Sequence, residues 1–126
     1  MGAAANIVIN NGSAVATTFE PFKVEGDTAV YVNRAPGTMN AWHFLRITRK
    51  LPADRSKGVN RVRYEFEVPT IDPTTKAVLY VNRFVGEYYE PVAGTTALNT
   101  DIHAYNKNFL ATTVATDIAV NGVIPT

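Results

Sequence analysis

The segment 60–68 reads Asn-Arg-Val-Arg-Tyr-Glu-Phe-Glu-Val, with Val62, Tyr64, Phe66 and Val68 alternating against Arg61, Arg63, Glu65 and Glu67. Successive side chains of a strand point to opposite faces, so this pattern demands a strand with one apolar and one charged face, which Pro69 is expected to end. Just upstream, Leu45 and Ile47 alternate with Arg46, Thr48 and Lys50, and a second strand offers the same basic face. A basic sheet surface suits a polyanion, and RNA is the first candidate.

At 126 residues and 46% hydrophobic, the chain suffices for one domain, 1–126, and no linker-like stretch divides it. The net charge of +1 hides an asymmetry: residues 46–83 hold nine of the twelve Lys and Arg against Asp54, Glu65, Glu67 and Asp72. Affinity for nucleic acid follows the phosphates neutralised locally, so this central patch counts for more than the overall balance, although a solvated sheet face would look the same. The absence of cysteine removes disulfides and thiolate metal sites and fits a reducing compartment. The opening Met-Gly-Ala-Ala-Ala-Asn carries neither an export signal nor a myristoylation pattern, and no apolar stretch approaches the roughly 20 residues of a bilayer span. No membrane partner is expected.

Residues 6–10 and 13–19 flank Asn11-Gly12, a strong hairpin signal, and the pieces 22–25 and 28–33 are split by Gly26-Asp27. The basic strands 41–51 and 60–68 follow, then a proline-punctuated loop 69–76. A last strand, 77–89, carries Tyr80, Phe84 and Tyr88 on one side and Arg83 and Glu87 on the other. After Pro91 the period changes. Leu98, Ile102, Tyr105 and Phe109 fall at spacings of four, three and four, the stripe of an amphipathic helix with Thr96 or Asn99 at its cap, Asp101 in its first turn and Lys107 near its end. Val114, Ile118 and Val120 continue as a shorter helix closed by Asn121-Gly122 and Pro125.

The fold class is therefore α+β: an N-terminal β-hairpin, a five-stranded antiparallel sheet and two C-terminal helices. Two short helices are a scant cover for the apolar face of such a sheet. A second subunit supplies the remainder if two sheets pair edge to edge and the helices of each lie across the other, which predicts an obligate homodimer.

With these elements in order, the chain resembles the coat proteins of the single-stranded RNA bacteriophages, the levivirus type. Residues 62–69, ending Glu67-Val68-Pro69, resemble the family's Val-Glu-Val-Pro strand end. The tail 104–125, with Phe-Leu-Ala-Thr at 109–112 and Asp-Ile-Ala-Val-Asn at 117–121, is similar to its paired C-terminal helices. Element order and length agree along the whole chain.

The resemblance implies a capsid protein of the virion, assembled in the bacterial host cytoplasm, whose intertwined dimers build an icosahedral shell around the phage single-stranded RNA. The polar sheet face would look inward at that RNA, and in the family it also binds a genomic hairpin and represses replicase translation. Anchoring on Pro69 and Pro91 places the RNA-facing positions at Arg46, Thr48 and Lys50, then Arg61, Arg63, Glu65 and Glu67, then Arg83, Val85 and Glu87. The best-known members stack a base on a tyrosine where Arg83 stands and hydrogen-bond through an asparagine where Val85 stands. Their adenine pockets use small hydroxyl residues and a lysine, whereas this chain offers Arg46, Thr48, Arg63 and Glu65. The RNA face is thus retained without that pocket, and the Arg83 guanidinium remains able to stack on a base. The loop 69–76, with Pro69, Asp72, Pro73 and Lys76, would be the one that changes conformation around the shell's axes. Pro73 is a candidate for that change because only X-Pro bonds reach cis cheaply, an ordinary rigid turn being the alternative. Leu98, Ile102, Tyr105, Phe109, Val114 and Ile118 would form the dimer interface.

Nothing in the sequence reads as catalytic. His43 and His103 complete no metal-ligand spacing, no Gly-x-Ser-x-Gly elbow or phosphate-cradling glycine loop is present, and Glu65 with Glu67 is explained more simply by cross-strand ion pairing, with Arg61 and Arg63 on the same face, than as an acid–base pair. No cofactor and no small-molecule substrate are expected. Trp42 is expected in a core or subunit interface. A small dimeric RNA-binding regulatory module that builds no shell is the competing reading, and an enzyme of unrelated α+β fold a distant third.

Overall fold

The computed structural model describes residues 5–54 and 56–124; the first four residues and the helix stop read at Pro125 lie outside the described residues. Six antiparallel strands follow one another in spatial order: β1 (Ile7–Asn10), β2 (Ala16–Glu25), β3 (Thr28–Asn33), β4 (His43–Lys50), β5 (Val59–Ile71) and β6 (Val78–Pro91). Each neighbouring pair is joined by a direct connection, so the sheet is a meander. The expected hairpin and five-stranded sheet are in fact continuous, because β2 belongs to both.

Two prolines that punctuate the sequence do not break strands. Pro21 lies inside β2 at a bulge between Pro21 and Lys23, just past the last β1 pair, Ile7↔Phe19. Pro69 lies inside β5, paired with Val81, just past the last β4 pair, Phe44↔Glu67. In both places one edge of the strand has lost its neighbour, the setting in which a missing N–H is tolerated. The loop expected at 69–76 therefore shrinks to the turn between Ile71 and Val78, and Pro69 is a strand residue.

The first turn also differs from expectation. β2 begins at Ala16 rather than at residue 13, and the loop is closed by the Asn11 side chain, whose Oδ1 accepts from the N–H groups of Ser13 (2.9 Å) and Val15 (3.1 Å). An asparagine side chain that mimics a backbone turn in this way leaves the left-handed residue to Ala14, at φ 60°, instead of Gly12.

The carboxy-terminal part is helical: α1 (Thr96–Leu110), then α2 (Thr113–Thr116), which runs into a π-helical turn at Asp117–Asn121. The cap is neither Thr96 nor Asn99 but Thr95, which accepts from Leu98 N–H at 3.3 Å. Asp101 sits beyond the first turn, while Lys107 occupies the last. Gly122 ends the chain's last helix in the left-handed conformation at φ 65°, the ordinary glycine stop. Among the described residues no helix is long and apolar enough to cross a membrane.

Register divides the sheet cleanly. Leu45, Phe66 and Phe84 pair across three strands on one face, with Ile47, Tyr64 and Gly86 in the next row. An aromatic row runs along this face: Phe19 meets Phe66 edge-on at 6.1 Å between centroids, Phe66 meets Tyr64 at 6.1 Å, and Tyr64 stacks on Tyr88 at 6.3 Å. Such pairs add stability beyond the area they bury. Helix α1 joins the row through His103, whose ring lies 6.3 Å from Tyr88 and whose Nδ1 is 3.3 Å from the Tyr88 hydroxyl. Asn106 donates to the same hydroxyl at 3.1 Å.

Beyond that polar anchor, α1 leaves its apolar stripe uncovered. Leu98 is 60% exposed, Ile102 55%, Tyr105 71% and Phe109 47%. Val114 and Ile118 are exposed as well, and so are Tyr80 and Phe84 on the sheet. Beneath the β1–β2 hairpin a groove of about 950 Å³ is open to solvent, lined by Ile9, Val15, Phe19, Phe66 and Val68. The chain exposes 9289 Å², whereas a compact monomer of 13.8 kDa exposes about 6,600 Å².

Candidate nucleic-acid interface

The opposite face carries every residue that the sequence assigns to it. Strands β4, β5 and β6 align as rows: Arg46↔Glu65↔Val85, Thr48↔Arg63↔Glu87, Lys50↔Arg61↔Tyr89 and Phe44↔Glu67↔Arg83. Alternation puts each side chain on this face, and antiparallel pairing sets them side by side.

The arginines are engaged with carboxylates. Arg83 bridges two of them, with Nε 3.1 Å from Glu65 Oε1 and Nη2 2.7 Å from Glu67 Oε1. Arg46 donates to Glu67 Oε2 and lies 4.0 Å from Glu65 Oε1. Arg63 reaches Glu65 Oε2 at 3.2 Å. The Glu65 and Glu67 side chains are only 15% and 17% exposed, while those of Arg46, Arg63 and Arg83 are 40–54% exposed. The carboxylates thus form a lower layer and the guanidiniums an upper one. Partial burial alone would raise the Glu67 carboxyl, but the hydrogen bonds and charges of Arg46 and Arg83 outweigh it and hold the pKa below the ordinary value. Both carboxylates act as acceptors for arginine.

Lys50 and Arg61 have no carboxylate partner among the described residues; Arg61 instead lies over the Tyr89 ring at 5.5 Å. The Tyr89 hydroxyl donates to Glu87, whose hydrogen bond and charge raise the tyrosine pKa. Toward β3 and Phe22 the face turns apolar, with the ion pair of Lys23 and Glu25 beyond it on β2. Phe44 packs edge-on against Phe22, Arg46 lies over Phe44 at 4.8 Å, and Arg34 lies over Trp42 at 5.2 Å. This aromatic patch was not among the sequence-assigned site residues, although the parity of Phe44 with Arg46 and Thr48 was a usable signal. Trp42 is partly buried and donates to the Gly37 carbonyl at 3.3 Å. Burial lowers the His43 pKa.

The expected axis loop is a tight turn. Asp72 N–H donates to Ala77 O and Lys76 N–H to Asp72 O, both at 2.8 Å. The Asp72 carboxylate accepts from Thr75 and Thr74 N–H, which pull its pKa down. Lys76 takes a positive φ of 64°, its carbonyl accepts from Asn40, and Pro73 follows a trans peptide.

This architecture, six meandering strands followed by helices that leave their own sheet largely uncovered, is the coat-protein fold of the single-stranded RNA phages. The virus-like particle of bacteriophage NT-214 superposes with a TM-score of 0.86 at 22% identity, covering 99% of this chain and 100% of that one. The particle of Beihai levi-like virus 21 gives 0.88 at 14% identity, covering 99% of each chain. An unassembled, RNA-binding phage coat-protein dimer gives 0.70 at 12% identity, over 98% and 97%. No protein-family model matches the sequence, and no curated protein does.

Proposed function

We propose that this chain is the structural subunit of an RNA-phage capsid: it dimerises, the dimers close into an icosahedral shell, and the charged sheet face lines the interior against single-stranded RNA. One observation carries the reading. Over nearly its full length the chain has the fold of particle-forming coat proteins, and it keeps two faces of opposite character, one apolar and uncovered, one charged.

The dimer follows from the uncovered surface. The excess over a compact monomer is roughly 2,700 Å² per chain, or about 5,400 Å² over two chains, at the upper end of obligate interfaces, which run from about 2,000 to 5,000 Å² and more in total. Helices α1 and α2 of a second copy, carrying Leu98, Ile102, Tyr105, Phe109, Val114 and Ile118, supply the apolar cover. The groove beneath the hairpin lies on the face they would cover. The RNA contacts are Arg46, Thr48, Lys50, Arg61, Arg63, Glu65, Arg83, Val85 and Glu87, and a genomic hairpin is read by the same surface. The Asp72–Ala77 turn, with Pro73 and Lys76, meets its counterparts around the shell's axes.

Expression of the chain alone in bacteria tests this. Size exclusion read at 260 and 280 nm, with electron microscopy of the void fraction, is expected to find uniform round particles holding nuclease-resistant RNA. A dimer that binds RNA and never assembles would instead establish the regulatory module.

A further inference from the structure

On strands β4 to β6 five cations share the charged face with three carboxylates, and the ordering of the two layers matters. Glu65 and Glu67 lie beneath Arg46, Arg63 and Arg83 and use all four of their oxygens on them. A phosphate approaching from outside meets guanidiniums whose charge is already largely matched from below. Counterion release depends on charge that the protein actually delivers to phosphates, so a matched arginine contributes less than a free one. Lys50 and Arg61, without carboxylate partners among the described residues, deliver theirs in full.

Resting on the RNA-facing assignment of this surface, we infer that Glu65 and Glu67 are restraining residues. They hold three arginines in fixed orientation and lower the face's affinity for RNA of arbitrary sequence, leaving Lys50 and Arg61 as the main sequence-independent phosphate contacts. A face built this way favours RNA whose phosphates match the fixed guanidiniums over RNA that merely supplies charge. The partner is a single-stranded polyribonucleotide held weakly and reversibly, as packing a long flexible genome requires.

The test uses the full-length protein freed of RNA, titrated with fluorescent oligouridylate over a series of salt concentrations. Glu65→Gln/Glu67→Gln keeps the side-chain shape and one acceptor oxygen of each pair while removing both charges. With about 0.7 of logarithmic slope for each phosphate neutralised on a single strand, the double variant should bind more tightly, with a salt slope steeper by about 1.4 per subunit. Glu65→Gln alone leaves both Glu67 bridges intact and should give about half that increase, which keeps the test decisive if the double variant folds poorly. Unchanged affinity and slope in a folded variant would overturn the restraining role while leaving the RNA face standing. Weakened binding would overturn it too, since the carboxylates would then be raising the face's affinity for RNA of arbitrary sequence and not lowering it. If wild type and variants alike showed no salt-dependent binding, the RNA-facing assignment would fall, and the inference with it.

Discussion

At the scale of single residues, Gly86 shows how closely the apolar face is fitted. It pairs with Tyr64, and a Cβ at position 86 would come within 2.9 Å of the Tyr64 ring. Its backbone needs no left-handed conformation, so the glycine is required by the ring and not by strain. Tyr64 cannot swing aside cheaply, because Phe66, Phe84 and Tyr88 hold it with centroids 5.9–6.3 Å away. Gly86→Ala is therefore expected to cost about 1–3 kcal/mol, the usual range for overpacking. A melt of the variant checks this, and an unchanged melting temperature would mean that the ring row is looser than its geometry implies.

At the scale of elements, the C-terminal helices carry more apolar surface than their own sheet covers. Phe109 is half exposed in the single chain, so within a monomer its truncation would matter little. If a second copy buries it, Phe109→Ala should cost about 3–5 kcal/mol. Because the loss falls on association, it should appear as a lower melting temperature that recovers with protein concentration. Identical melting of wild type and variant would remove Phe109 from the interface.

The existence and type of these elements were legible because period two and period 3.6 survive in the sequence without help from tertiary contacts. Strand ends at Pro21 and Pro69 were not, since a proline's effect depends on whether a neighbouring strand still runs beside it, which no local pattern records. Alternation likewise gave which side chains share the charged face. It could not give the register Phe44↔Glu67↔Arg83, which is fixed by loops and bulges. Hence ion pairing of arginine with Glu65 and Glu67 was expected, but from Arg61 and Arg63; Arg61 reaches neither carboxylate, Arg63 reaches Glu65 within its own strand, and the cross-strand partners Arg46 and Arg83, like the aromatic patch around Phe44, came only with the structure.

At the scale of the whole molecule, the sheet is a partition. One side concentrates charge in a layered array, and the other concentrates apolar surface that a single copy leaves wet. A domain of this size with so little fully buried is a poor candidate for independent stability, since burial supplies the main favourable term in folding. On the proposed dimer its fold and its association would be one process, with two charged faces brought to one side of a doubled sheet. The central claim is that the core is completed only by a second copy. Native mass spectrometry of the full-length protein, diluted until any particles have dissociated, tests it most directly. The account predicts a smallest folded species of twice 13.8 kDa, with monomer appearing only as the protein unfolds. A stable, folded monomer of 13.8 kDa would contradict it.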